Sequence, residues 1–291
     1  MTLTPVRIDL HTHSSVSDGT DRPADLVAEA AAAGLDVVAL TDHDTIEGWP
    51  EAIDAGARAG VEVIPGIEIS TAWRGAGVHL LAYLVDPEDR PLAAELARVR
   101  ADRRHRLETI VGRLTRQGMP LEVEEILAVA GPAVAVGRPH VADAMIARGY
   151  VRDREEAFTQ WLGAGRGGYV PKYAPDTAET IALVRAAGGV TVLAHPWGRE
   201  SRWCLDEDAV TTLSEAGLDG IEVDHEDHDV SDREMLRELA TGLDLVVTGS
   251  SDYHGAGKTG HGLGINTTAP DQWERLKSAA GEGSSHGGVM R

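Results

Sequence analysis

The feature that most restricts how this chain can fold is a recurring order. An aliphatic run comes first, a cluster of His, Asp or Glu follows, and then comes an amphipathic stretch stopped by glycine. Residues 6–10 end in His11-Thr12-His13, and residues 36–40 end in Thr41-Asp42-His43-Asp44. Residues 61–64 continue through Pro65-Gly66 to Ile67-Glu68-Ile69-Ser70, and residues 78–85 contain His79. Residues 190–194 end in His195-Pro196, 220–223 in Asp224-His225-Glu226, and 243–248 lead to Ser251-Asp252-Tyr253-His254. Each run has the length and β-branched content of a strand, so seven strands are expected.

Helical patterns separate several of them. The spacing predicts helices over 22–33, 46–59, 177–187, 206–216 and 231–241, each closed by a glycine. Strand–helix alternation implies a parallel α/β fold. Seven strands with polar residues at their carboxyl ends imply a barrel, because a barrel gathers those ends around one mouth. The alternation fails between about residues 91 and 171. A long helix is expected there over 98–117, with Leu107, Ile110, Val111 and Leu114 on one face and Arg100, Arg103, Arg104 and Arg106 on the other. Further helices are expected over 121–130, 141–147 and 154–162. The expected organisation is therefore a barrel over 1–96 and 173–280, a small helical insertion domain over 97–172, and a flexible Gly/Ser-rich tail over 281–291.

Charge refines this picture. The chain of 291 residues carries a formal charge of -20, which disfavours a sequence-independent grip on long duplex nucleic acid. Residues 97–172, however, hold 13 Lys/Arg against 9 Asp/Glu, while the remainder holds 14 against 38. Such a basic island in an acidic protein suits either an anionic ligand or a solvated helical face. No apolar run is long enough to span a bilayer. The first strand begins too early for a signal peptide, and the single cysteine, Cys204, allows no internal disulfide. A cytoplasmic enzyme is the expectation.

The candidate site follows from the strand ends. In an extended chain, residues two apart point the same way, so His11 and His13 offer two imidazoles to one side. Alone, the pair is equally compatible with two solvated histidines at a strand end. Glu68 alone reads as a rim carboxylate, His79 as a core histidine and His195 as a strand terminator. Together, His11, His13, Asp18, His43, Glu68, His79, His195, Asp252 and His254 map to one mouth. A cluster of that size is poorly tolerated without compensation, and two or three divalent cations would supply it. The mixed His and carboxylate set suits Mn, Fe or Zn better than Ca or Mg.

The series His11-x-His13, Thr41-Asp42-His43-Asp44, Glu68, His79, Ala194-His195-Pro196 and Ser251-Asp252-x-His254 resembles the polymerase-and-histidinol-phosphatase (PHP) superfamily. The resemblance implies a distorted (β/α)7 barrel with a trinuclear metal centre, Mn being favoured. It assigns His11, His13, Glu68 and Asp252 to one ion. Glu68 would bridge to a second ion held by His79 and His195, and Asp18, His43 and His254 would hold a third. Some family members have His where this chain has Asp18. The segment Gly137-Arg138-Pro139-His140-Val141-Ala142 resembles a subgroup that removes the 3′ phosphate of nucleoside 3′,5′-bisphosphates and trims short RNA from its 5′ end. Arg138 and His140 then become clamps on the phosphate that is not cleaved, although the same residues also read as a helix N-terminus with proline in its first turn. Arg199 becomes a contact to the reacting phosphate, with Lys258 a weaker candidate for the same contact. His225 and His228 match no ligand motif and read as rim histidines, with His225 a minor candidate proton donor.

The expected chemistry is in-line attack on phosphorus by a metal-bridging hydroxide held by Glu68 with Asp252 and His195. Rival readings are a phosphodiesterase acting on short oligoribonucleotides or cyclic sugar phosphates, a histidinol phosphatase, a non-catalytic PHP module and a hydrolase of C–N bonds. The expected partner is a small phosphorylated nucleotide or short RNA.

Overall fold

The structure, a computed structural model, describes residues 6–283, except for the side chains of residues 199, 200 and 281–283. Seven strands lie in the order β1 to β7: β1 (Ile8–Asp9), β2 (Val37–Leu40), β3 (Glu62–Trp73), β4 (Ala76–Tyr83), β5 (Val190–Leu193), β6 (Gly220–Asp224) and β7 (Val246–Gly249). The sheet nearly closes on itself. Beyond the ends of β1 and β7, Thr12 and Tyr253 form a parallel bridge, and Ile8 bridges to Thr268. The buried Asp9 carboxylate fastens this seam by accepting from the amides of Ser251 (3.0 Å) and Gly264 (2.9 Å).

One strand departs from the expected parallel barrel. β4 runs antiparallel to both β3 and β5, while the other neighbouring pairs are parallel. The cause is local. No helix intervenes between β3 and β4; a tight turn at Arg74 (φ 49°) and Gly75 (φ 82°) reverses the chain directly. This reversal brings His79 to the level of the mouth, where its carbonyl accepts from the Ala194 amide just before His195.

The ten α-helices of the described residues are α1 (Pro23–Ala32), α2 (Trp49–Ala59), α3 (Arg90–Arg116), α4 (Val123–Ala130), α5 (Arg138–Ala147), α6 (Arg154–Ala157), α7 (Thr177–Ala186), α8 (Glu207–Glu215), α9 (Val230–Gly242) and α10 (Pro270–Gly283). α2 starts three residues later than its pattern suggests: residues 47 and 48 form a turn in which the Trp49 amide donates to the Ile46 carbonyl (3.1 Å). α3 starts eight residues earlier than expected, where the Asp89 side chain accepts from the Leu92 amide and caps it. α10 runs into the expected tail, and residues 284–291 lie outside the described residues.

Both faces of the sheet are buried, which explains the near-continuous apolar strands. Val37 and Ala39 of β2 point into the barrel interior with Ile8, Ile64, Leu81, Tyr83, Val192 and Val246, and Trp273 of α10 packs against this interior set. Val38 and Leu40 point outward to α1 and α2. The segment between β4 and β5 has its own core, built from Leu107, Ile110 and Leu114 of α3 with Ile126, Val141, Met145 and Leu162. Among the described residues, no helix is long and apolar enough to cross a membrane.

Candidate metal centre

The loop after β1 is shaped by a buried carboxylate that follows β2. Asp42 accepts from the amide and hydroxyl of Ser14 (2.8 and 2.6 Å) and from the Ser17 hydroxyl (2.6 Å). The chain passes so close to itself that a Cβ on Gly19 would meet the His13 carbonyl at 2.3 Å. These contacts fold Asp18 back over His13. Three non-glycine residues of the site, Asp44, His195 and Asp252, sit at positive φ of 55°, 29° and 51°. Backbone held in that region costs on the order of 1–3 kcal/mol per residue and persists where its surroundings impose it.

All nine expected ligands are drawn to one place. His11 Nε2 and His13 Nε2 lie 3.0 Å apart. Glu68 Oε2 is 3.3 Å from the first and 3.0 Å from the second, and Asp252 Oδ1 is 3.5 and 3.4 Å from them. A tetrahedral ion with bonds of ~2.0–2.1 Å holds its ligand atoms ~3.3–3.4 Å apart, so these spacings fit one cation. The other Glu68 oxygen meets His79 Nδ1 at 2.7 Å and His195 Nε2 at 3.2 Å. Asp18 is 3.4 Å from His254 Nε2, 3.6 Å from His43 Nε2 and 3.7 Å from His13 Nδ1. Atoms of His13, Asp18, His43 and His254, of His11, His13, Glu68 and Asp252, and of His43, Glu68 and His79 form three tight groups. His13 and His43 thus each stand between two groups. The His13 distances are shorter on its Nε2 side, toward Glu68 and Asp252.

The electrostatics suit cations. Burial alone would raise the carboxyls, yet surrounding groups hold all three well below the usual range. His43, His79 and His11 do so for Glu68, His43, His254 and His13 for Asp18, and Lys258, His11 and His254 for Asp252. Burial pushes His43 down to about 3, which keeps its imidazole neutral and able to ligate. Among the described residues, buried His13 Nδ1 has no hydrogen-bond partner, and buried His43 Nδ1 lies 3.1 Å from Glu68 Oε2 without hydrogen-bond geometry. Buried polar atoms left in that state are costly, and a divalent ion is the partner this donor set fits.

A fourth group, His225, Asp252 and His261, has a different character. The Asp227 amide donates to His225 Nδ1 (3.0 Å), so a neutral His225 carries its proton on Nε2 and faces Asp252 Oδ2 (3.4 Å) as a donor. Lys258 reaches the same oxygen at 2.5 Å. His225 and His228 are buried, not rim residues. His228 accepts from the Trp197 amide (3.3 Å) and donates to the Val223 carbonyl (2.9 Å), tying β6 to the loop after β5.

The insertion contributes cations. Arg103 on α3 reaches into the barrel, donating to Asp44 Oδ2 (2.8 Å) and the Ser70 hydroxyl (2.6 Å). Arg138 stacks between Phe158 and Tyr169 and donates to the Leu162 carbonyl (2.9 Å). Lys172 is partly buried; burial and the charges of Arg103, Arg106 and Arg138 push its pKa well below the ordinary lysine value. Arg106 is lowered to about 10 by burial and by Arg103 and Arg138. Lys172 was missing from the sequence reading, where its only signal was membership of the basic island. His140 is mostly inside the fold. Its Nδ1 accepts from the Gly137 amide (3.1 Å) and its ring also bonds the Ser17 backbone, so the structure gives it the work of a helix cap. The Arg199 side chain lies outside the described residues.

A barrel whose mouth gathers imidazoles and carboxylates into cation-sized groups, flanked by guanidiniums, defines a metal-dependent phosphoesterase. A family model for the PHP domain matches residues 9–120. A 5′-3′ exoribonuclease of Haemophilus influenzae is 33% identical over 275 residues, covering 93% of this chain and 99% of its own. A 3′,5′-nucleoside bisphosphate phosphatase of Chromobacterium violaceum is 31% identical, over 90% of this chain and 92% of its own. A solved Bifidobacterium adolescentis structure, itself assigned by inference as a metal-dependent phosphoesterase, superimposes with a TM-score of 0.90 at 37% identity, over 95% of this chain and 98% of its own. The chain belongs to the PHP family and is a phosphoric ester hydrolase.

Proposed function

We propose that this enzyme removes the 3′ phosphate of nucleoside 3′,5′-bisphosphates, converting adenosine 3′,5′-bisphosphate to AMP, with two or three divalent ions of which manganese is the best match. The observation that carries this reading is the pairing of two unlike surfaces. The carboxylate and imidazole groups around Glu68 suit metal ions and, through them, a reacting phosphate. Next to them, joined through Asp44 and Arg103, the cations Arg106, Arg138 and Lys172 gather: burial with Arg103 and Arg138 lowers the pKa of Arg106, and burial with Arg103, Arg106 and Arg138 lowers that of Lys172. Guanidinium and ammonium groups gathered on one wall suit a second phosphate, which accepts charge-assisted hydrogen bonds from them.

In this reading His11, His13, Glu68 and Asp252 hold one ion, Glu68 with His79 and His195 a second, and Asp18, His43 and His254 a third. When bound there, divalent ions would supply an activated water and neutralise charge on the phosphoryl oxygens. Glu68 uses both oxygens and keeps the two nearer groups in register. Arg138, stiffened by its aromatic neighbours, fixes the uncleaved phosphate. The insertion covers the mouth and excludes water.

The exoribonuclease relative favours a second reading, since cleavage of a short RNA at its 5′ end calls on the same 5′-phosphate clamp. A phosphoester panel decides between them, with metal content measured on the same sample. Adenosine 3′,5′-bisphosphate, 3′-AMP and a 5′-phosphorylated trinucleotide are offered in parallel. Inorganic phosphate released faster from the bisphosphate than from 3′-AMP is the expected result. Mononucleotides from the trinucleotide, with no phosphate from the bisphosphate, would replace the first reading by the second.

A further inference from the structure

Glu222 matched no motif, yet it lies fully buried beneath the metal centre in β6. Its Oε1 is 3.1 Å from His11 Nδ1 and also takes the Ser250 hydroxyl, while its Oε2 accepts from the His195 amide at 2.8 Å. Both carboxylate oxygens already face donors, Oε2 the His195 N–H and Oε1 the Ser250 hydroxyl, so Glu222 meets His11 Nδ1 as an acceptor. The proton on His11 must therefore sit on Nδ1. A neutral His11 then offers a metal the lone pair of Nε2, the atom 3.3 Å from Glu68 Oε2 and 3.5 Å from Asp252 Oδ1. The same carboxylate, through its other oxygen, holds the amide of His195, whose backbone sits in the left-handed region at φ 29°.

We infer that Glu222 is a positioning residue that sets the His11 tautomer and the His195 backbone together, so that one carboxylate prepares a ligand on each side of Glu68. Partners of this kind orient ligand imidazoles and typically govern metal affinity by 10–100-fold. A glutamine cannot replace it. With its oxygen toward His11 and Ser250, its NH2 faces the His195 N–H, donor against donor. Turned over, its NH2 faces His11 Nδ1 and drives the ring proton to Nε2, removing the ligand lone pair.

The inference rests on the reading of His11 as a metal ligand, and the test separates the two. Manganese affinity is measured by calorimetry on the full-length wild type, Glu222→Gln, His11→Ala and the double variant. The expected result is a fall of about 10–100-fold for Glu222→Gln, and a much smaller further fall when that change is added to His11→Ala. Equal losses in both backgrounds would mean that Glu222 only supports the fold, and would overturn the inference. Unchanged affinity in His11→Ala would remove the ligand reading beneath it. Should Glu222→Gln not fold, the zinc-loaded wild type still decides. Ring 15N spectra, with His11 assigned by comparison with His11→Gln, must show the proton on Nδ1; an unprotonated Nδ1 on His11 overturns the proposal.

Discussion

Glu68 and His195 stand 127 residues apart in the chain and meet at 3.2 Å between Oε1 and Nε2. The opposite oxygen of Glu68 lies 3.0 Å from His13. One side chain therefore touches both inner groups of the cage, and its loss must empty more than one position. Glu68→Gln is expected to lower kcat by at least about 10²–10³-fold, with bound metal falling by more than one ion per chain. Metal analysis after gel filtration checks this. A variant that kept its full metal complement and lost only activity would show that Glu68 does not bridge.

Arg138 is expected to act on binding rather than on chemistry. A charge-assisted hydrogen bond to a phosphate contributes about 1.5–3 kcal/mol. Arg138→Ala should then raise KM for nucleoside 3′,5′-bisphosphates roughly 10–100-fold with little change in kcat. Singly phosphorylated substrates should barely notice. Equal impairment on both would defeat the clamp and point instead to collapse of the packing around Phe158 and Tyr169.

What the sequence made legible was whatever depends on local order. Alternation around β2 and the His-x-His pair at the end of β1 are properties of a few consecutive residues, and both reappear as structure. The reversal of β4 was not legible, because it turns on the short Arg74-Gly75 connection and not on the strand's own composition. Glu222 was hidden for a related reason. It lies inside an aliphatic run, and its importance arises from contacts to His11 and Ser250, distant in sequence. His140 reads two ways in the sequence, since a histidine after proline near an arginine fits a phosphate contact and also a helix cap, and it is the placement of the Gly137 amide that shows the cap.

The insertion is anchored by a buried ion pair, and this has a cost when broken. Asp44 accepts from the Ser70 amide (2.7 Å) and hydroxyl (3.0 Å) and from Arg103, and both Asp44 and Arg103 are buried. Asp44→Ala leaves the guanidinium uncompensated and is expected to destabilise the protein by about 3–5 kcal/mol. Thermal melting should show this as a drop of several degrees. Replacing Arg103 by Met in the same variant should recover part of the loss, since no charge is then stranded. A double variant weaker than Asp44→Ala alone would argue that Arg103 holds the insertion through other contacts.

Protons and metal ions compete for His13, and the two forms of the protein should answer pH in opposite ways. Burial would lower this imidazole, but hydrogen bonds to Asp252 and Glu68 lift it to about 9 in the metal-free chain. A histidine whose folded pKa exceeds its unfolded value near 6.5 stabilises the fold fully below 6.5, and that contribution disappears as pH rises through 9. Glu68, Asp18 and Asp252 are depressed, so their contribution is present above the usual carboxylate range and is lost in acid. The melting temperature of the chelator-treated protein should therefore peak between about pH 5 and 6.5 and fall toward pH 9. Metal binding needs the neutral ring, so the rise in melting temperature on adding manganese should grow over that same interval. Differential scanning fluorimetry at pH 6, 7.5 and 9, with chelator and with manganese, reads both slopes. A metal-free melting temperature that climbs with pH, beside a manganese shift that stays constant, would mean that His13 holds no extra proton and that the two carboxylates do not act on it.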